Sequence, residues 1–245
     1  CFKKSSCCAK AIVKAGIKKV FISSLDPNPN IKGKGIDFLK KQKIKVFHSL
    51  KSTDRFKIIN KFFYTRKTSN RPFITLKIAI SKNGFSKSPT HKNITSDQTQ
   101  YFMHSLRLSH DAIGVGMNTV LDDKPKLTCR LQGVSKNIAK LIFSNKEIKF
   151  KNYKLIIVDY KKIVTENFSL FKKLKTQSIL IEGGLNTFKY FLNCNLFDEV
   201  IVCQSNMTIK NASKKYFLSM KSITNNLILK SSLKYGEDMI YKFTN

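Results

Sequence analysis

At 245 residues, with 42% hydrophobic and 11% aromatic content, the chain holds enough apolar material for one large domain or two small ones. No run approaches the roughly 18 consecutive apolar residues of a membrane span, and the opening CFKKSSCCAK lacks the continuous apolar segment of a signal peptide, so the expectation is a soluble cytoplasmic protein that neither crosses nor binds a membrane. The formal charge of +31 would ordinarily point to nucleic acid, but only five of the 46 basic residues are Arg, and Lys is spread along the whole length without a polybasic block, which reads as a solvated coat.

In chain order, residues 7–16 read as a helix, KVFIS as a strand, DPNPNIKGKG as a turn-rich loop, IDFLKKQK as a helix and KVFHSL as a strand, an α-β-α-β beginning. The chain has no initiator Met and starts on Cys1 in a helical pattern, so further sequence is expected upstream. One helix is then predicted from near Ser52 through FKIINKFFYTRK, with Phe56, Ile59, Phe62 and Phe63 at helical spacing. KTSNRP stops it, because Pro72 disfavours helix at the residue before it, and the domain boundary falls there, near residue 70.

Beyond the boundary, FITLKIAIS reads as a buried strand. Thr95 with Gln98 three residues on suggests a capping box opening a helix from about 96 to 109, whose apolar face is Phe102, Met103 and Leu106. The strand AIGVG, a short helix at NTVLDD, the strands AKLIFS and KLIIVDY, the helix FSLFKKLK, the strand SILIEGG, the helix LNTFKYFLN and the strand EVIVCQS follow, and LILKSSL and DMIYKF close the chain. The alternation predicts an α/β fold, a mixed, mostly parallel sheet flanked by helices, with the terminal strand pair at a mixed edge.

Two stretches carry candidate chemistry. AIGVGMNTV has a Gly-x-Gly at the end of a strand, but Thr119 stands where a Rossmann fingerprint needs its third Gly, and no acid stands at the right distance for a ribose; nucleotide site and simple strand-turn both remain open. Gly114 and Gly116 would permit close backbone approach, and Thr119 places a hydroxyl at a helix start. SILIEGGLNTFKYFL runs a strand into Gly183-Gly184 and then a helix, an arrangement that can cradle an anion. Glu182 ends that apolar run and must be ion-paired, hydrogen-bonded or ligand-facing. Scarce Arg adds a pointer, since the guanidinium fork matches phosphate and carboxylate, and Arg71, Arg107 and Arg130 flank the first stretch. His48, His91, His104 and His110 have no metal-ligand spacing and read as surface or satisfied core residues. Cys194 and Cys203 read as reduced core residues, and only Cys1, Cys7 and Cys8 cluster.

Taken together, RPFITLKIAISKNG, NITS, LRLSHDAIGVGMNTVLDDKPKLTCR, ILIEGGLNTFKYFLNCNLFDEV and GEDMIYKF resemble, in that order, the riboflavin-biosynthesis bifunctional deaminase/reductase family. The resemblance implies a dihydrofolate-reductase-like fold for residues 71–245, with NADPH reducing 5-amino-6-(5-phosphoribosylamino)uracil, a phosphoribosylamino-pyrimidine, to its ribityl form, and a homodimer. By the same resemblance Thr119, Asp123, Gly184, Leu185, Asn186, Thr187, Phe188, Lys189 and Tyr190, together with Ala79, Asn93 and Asn145, would contact the cofactor. Arg107, Leu127, Arg130, Glu182 and His91 would contact the substrate; no covalent nucleophile is implied. CCAKAIVKAGIKKVFISSLDPNPNIKGKGIDFLKKQKIKV is similar to the second half of the family's zinc deaminase domain, with Cys8, and Cys1 beside it, in the metal positions. The His-x-Glu segment that completes such a site is not in this sequence, so residues 1–70 would form an incomplete deaminase-like domain, with zinc bound and deamination carried out only if it is completed. Asn83, His91, Asn93 and Lys124 depart from the family pattern, which puts full activity of the nicotinamide pocket in question.

Overall fold

The computed structural model describes residues 8–48, 53–134, 136–147, 153–160 and 168–245. The chain divides into two compact units, Cys1–Arg71 and Pro72–Asn245.

The first unit contains α1 (Cys8–Lys14), β1 (Lys19–Ile22), α2 (Lys34–Lys41), β2 (Lys45–His48), α3 (Thr53–Ile59) and α4 (Lys61–Ser69). β1 and β2 pair in parallel, Lys19 opposite Lys45 through Ile22 opposite His48. Alternation along these strands turns Val20 and Val46 toward a small core of Ala9, Leu39 and Ile44, and turns Phe21 and Phe47 the other way, where their exposed rings stack at 4.9 Å. The single helix expected from Ser52 to Lys67 is broken at Asn60. There the backbone leaves helical geometry (φ −109, ψ 31), and the side-chain amide donates to the Phe56 carbonyl that Asn60's own N–H also uses. An Asn side chain that competes for backbone acceptors in this way weakens a helix interior. Ile59, assigned to the apolar face, is exposed.

The second unit contains β3 (Phe73–Ile80), α5 (Asp97–Ser109), β4 (Ala112–Gly116), α6 (Met117–Asp123), β5 (Ala139–Ser144), β6 (Lys154–Ile157), α7 (Ser169–Lys172), β7 (Ser178–Ile181), α8 (Leu185–Asn193), β8 (Glu199–Gln204), α9 (Met220–Thr224), β9 (Ile228–Tyr235) and β10 (Asp238–Thr244). Among the described residues its eight strands lie in the order β6-β5-β4-β7-β3-β8-β10-β9, parallel from β6 to β8 and antiparallel across β8-β10-β9. This is the mixed, mostly parallel sheet flanked by helices that the sequence predicts.

Strand alternation separates two faces. Ile74, Leu76, Ile78 and Ile80 of β3 join Phe143, Phe171, Phe188 and Phe191 in the main core. On the opposite face Ala79, Ile201, Cys203 and Ile240 meet Phe102, Met103 and Leu106 of α5, and Ile113, Val115 and Ile142 meet Met117 and Val120 of α6. The α5 start differs from the predicted Thr95 box. Ser96 is the cap, its hydroxyl accepting from the Thr99 N–H at 3.3 Å, while the buried Asp238 carboxylate accepts from both the Ser96 N–H and its hydroxyl. Thr95 accepts instead from the Gln100 side chain.

One feature of the topology fixes where a ligand can bind. From β4 the chain proceeds through α6 to β5 on one side, whereas from the adjacent β7 it proceeds through α8 to β8, across β3 on the other side. Neighbouring strands whose connections diverge leave a crevice at their carboxyl ends, and there α/β sheets bind ligands.

Candidate active site

The two Gly-bearing turns meet at that crevice. The Glu182 N–H donates to the Gly114 carbonyl at 2.9 Å, extending the β4-β7 ladder past the end of β7. Two residues on, the Gly184 N–H donates to the Thr119 hydroxyl of α6 at 3.0 Å. Such closeness demands small residues. A Cβ on Gly184 would sit 2.8 Å from Thr119 Oγ1, and one on Gly116 would collide with Thr187 Oγ1. Gly114 has a different reason from the one expected: its missing Cβ makes room for the core ring of Phe143.

Helix geometry sorts the residues that follow. The first backbone bond into α8 runs from the Phe188 N–H to the Gly184 carbonyl, so the amides of Leu185, Asn186 and Thr187 have no acceptor within the helix. Gly184, Asn186 and Lys189 are exposed, while Leu185, Thr187, Phe188 and Tyr190 are buried. The buried four can offer a ligand little beyond main-chain groups. Thr187 shares its hydroxyl with Tyr160, which also donates to the Phe143 carbonyl at 3.1 Å. Tyr160 and Tyr190 meet edge to face at 5.2 Å; burial above all, then Cys194, pushes the Tyr190 hydroxyl up to about 12, so it stays protonated.

The remaining candidates come from neighbouring strand ends. Asp123 closes α6, exposed, with Lys87 at 3.6 Å. Asn145 follows β5 and is exposed, Ala79 is half-buried near the end of β3, and Asn93 is exposed between β3 and α5. His91 is exposed in the same loop and pairs through Nδ1 with the Thr90 hydroxyl at 2.9 Å. Two of the departures have structural roles. The Asn83 amide accepts from the Ile209 N–H and donates to the Ile209 carbonyl, a double contact that a carboxylate could not make. Lys124 takes the left-handed position that ends α6.

On the α5 side of the crevice stands a charged wall. Arg107 donates through Nε and Nη2 to the two Glu182 oxygens at 2.8 and 2.6 Å, and through Nη1 to the Thr128 carbonyl. The pair is largely withdrawn from solvent, with side-chain exposures of 18% and 8%. Burial alone would lower the Arg107 pKa, but Glu182 outweighs it and the net shift is upward. Of the three roles open to Glu182, ion pairing is realised. The fork of Arg107, expected to meet a substrate anion, is turned to that carboxylate, whereas Arg130 is exposed. Leu127 is buried among Ile113, Val115 and Ile142 with φ 48, so its side chain belongs to the core.

His104 fits the satisfied-core reading and lies buried in this wall, against Arg130. Its position three residues before Arg107 on one helix is the sequence signal for a shared face. His110 fits the satisfied-core reading, with Nδ1 2.8 Å from the Leu106 carbonyl and Nε2 3.0 Å from the Thr75 hydroxyl. Cys8 opens α1 and is exposed, and Cys1 lies outside the described residues. Among the described residues no group of three or more His, Cys, Asp and Glu could hold a metal, and no helix is long and apolar enough to cross a membrane.

The fold that carries this crevice is shared with solved structures. The chain superposes with a TM-score of 0.79 and 25% identity on the Thermotoga maritima diaminohydroxyphosphoribosylaminopyrimidine deaminase/5-amino-6-(5-phosphoribosylamino)uracil reductase, over 97% of this chain and 74% of that one. It shares the fold of Acinetobacter baumannii RibD, with a TM-score of 0.81 and 21% identity over 99% of this chain and 77% of that one. The riboflavin biosynthesis protein RibD of Aquifex aeolicus is 28% identical over 99% of this chain and 77% of its own length. The class so defined is an oxidoreductase on a mixed α/β sheet. Residues 72–241 match the RibD C-terminal domain, and the chain belongs to that family, the reductase family of riboflavin biosynthesis.

Proposed function

We propose that the chain is the NADPH-dependent reductase that converts 5-amino-6-(5-phosphoribosylamino)uracil to its ribityl form. The observation that carries this reading is the convergence of residues 114–119 and 182–187, joined by the Gly184-Thr119 and Glu182-Gly114 hydrogen bonds, beside the Arg107-Glu182 wall.

The crevice fits a dinucleotide. Gly116 and Gly184 let the two turns close on Thr187 and Thr119, and the amides of Leu185, Asn186 and Thr187 at the start of a nine-residue helix suit a diphosphate. Asp123 and Asn145, exposed at the ends of α6 and β5, would accept from and donate to sugar and amide groups of the cofactor. NADPH, when bound, supplies the hydride. The protein's own residues bind and orient. Exposed Arg130 offers its guanidinium to the substrate phosphate, and Glu182, with lone pairs left after pairing with Arg107, accepts from the N–H and O–H groups of the substrate. Holding the two reactants in line is the main demand on such a site.

A cytoplasmic location and a homodimer go with this reading, the dimer checked by sedimentation. The nucleic-acid alternative drew on charge alone, and neither the fold nor the relatives add to it. The test is NADPH oxidation with the deaminated pyrimidine substrate: turnover by the folded protein supports the reading, and none contradicts it.

A further inference from the structure

The segment that follows α6 is stitched to α5 at one point, and the centre of the stitching is His104. The residue is 8% exposed. Its Nδ1 lies 3.3 Å from the Arg130 backbone N–H and its Nε2 lies 3.4 Å from Arg130 Nε. The Cys129 thiol donates to the His104 carbonyl, and Arg107, one turn further along α5, donates to the carbonyl of Thr128. The charged and titratable groups around the ring are therefore Arg107 on its own helix, Arg130 and Cys129 on the facing segment, and Glu182 beyond the end of β7.

Both Arg130 contacts present a donor to the imidazole. A neutral ring has one lone pair and can accept from Arg130; an imidazolium has none, and carries a positive charge between two guanidinium groups. We propose that His104 is a positioning residue for Arg130, holding its guanidinium toward the substrate phosphate only while the ring is uncharged. The proposal rests on the reductase reading for the identity of the anion, but not for the hold itself. Burial first, then Arg107 and Arg130, lowers the His104 pKa below its ordinary value, against smaller opposing effects of Glu182 and the Thr128 carbonyl. The sign follows. With the folded value depressed, the contribution of the neutral ring to stability is complete above the ordinary value of 6.5 and is lost as pH falls through the lower folded one.

The distinguishing experiment compares the wild type with His104→Gln, whose amide keeps an uncharged acceptor of similar reach, from about pH 7.5 down through the lowered titration of the His104 ring, which its own imidazole resonances follow. A phosphate monoester also titrates near pH 6, and this contribution is common to both proteins. In the wild type, KM for the phosphorylated substrate rises on the acid side by about tenfold more than in His104→Gln, the size of one lost charge-assisted hydrogen bond, while the two proteins share one kcat profile. Identical KM profiles in the two proteins would overturn the proposal. A second measurement needs neither turnover nor a variant that folds. In the free wild-type protein, the Arg130 amide and Nε–H resonances move with the His104 ring titration, and static Arg130 signals through that titration would also overturn it. If turnover is absent but Arg130 follows His104, the hold stands and the reductase reading falls.

Discussion

On the α7–α9 side of the large sheet, the interior is almost wholly hydrocarbon: Phe143 meets Phe171 and Phe191 edge to face, the latter at 4.8 Å, in one cluster with the apolar side of β3. On the α5–α6 side the buried polar groups gather instead, among them the His110-Thr75 and His104-Arg130 contacts, the Arg107-Glu182 pair and the Asp238 carboxylate that holds the Ser96 cap of α5. One sheet thus supports two interiors. The aromatic side supplies stability without direction, while the polar side fixes donors and acceptors at the crevice, where buried groups must be paired to be tolerated.

The comparison can be broken most severely at Arg107. Arg107→Ala leaves the Glu182 carboxylate buried without its partner, with a stability loss of about 3–5 kcal/mol by chemical denaturation. Turnover of the folded fraction is expected to fall on the order of a hundredfold, the rate equivalent of about 2.7 kcal/mol. Phe171→Ala sharpens the contrast from the other side: a similar loss of about 3–5 kcal/mol, with kcat/KM of the folded protein unchanged. Gly116→Ala pushes a methyl into Thr187 and should destabilise by about 1–3 kcal/mol while weakening cofactor binding, and a cycle with Thr187→Ala should show positive coupling. The smallest effect is at Lys136, whose ammonium bonds the Leu108 and His110 carbonyls at the end of α5. Lys136→Met should lower the midpoint of unfolding by the equivalent of about 0.3–1 kcal/mol, without altering turnover.

Apolar periodicity reports burial, and burial fixes strands and helices, so the order of elements in the second unit was readable from the sequence except for the five-residue α9, which is too short to show a period. Other departures depended on partners distant in the chain. The α5 cap shifts from Thr95 to Ser96 because Asp238, more than a hundred residues away, reaches that turn. The pairing of Arg107 with Glu182 was open for the same reason: residue type placed both at the site, but only the fold turns the fork toward the carboxylate rather than toward a ligand. Gly114 and Gly116 look equivalent in sequence and share one face of β4, yet their positions along the strand set Gly114 against Phe143 and Gly116, at the strand's end, against Thr187. The break at Asn60 was local and legible in principle, since Asn carries a side-chain competitor for helix hydrogen bonds.

The most direct test of the converging turns is an amide NMR titration of the whole chain with NADPH. The account predicts saturable shifts at Thr119, Glu182 and residues 184–187, from both sides of the crevice and in one titration. Saturable NADPH binding that leaves those amides unmoved would contradict it.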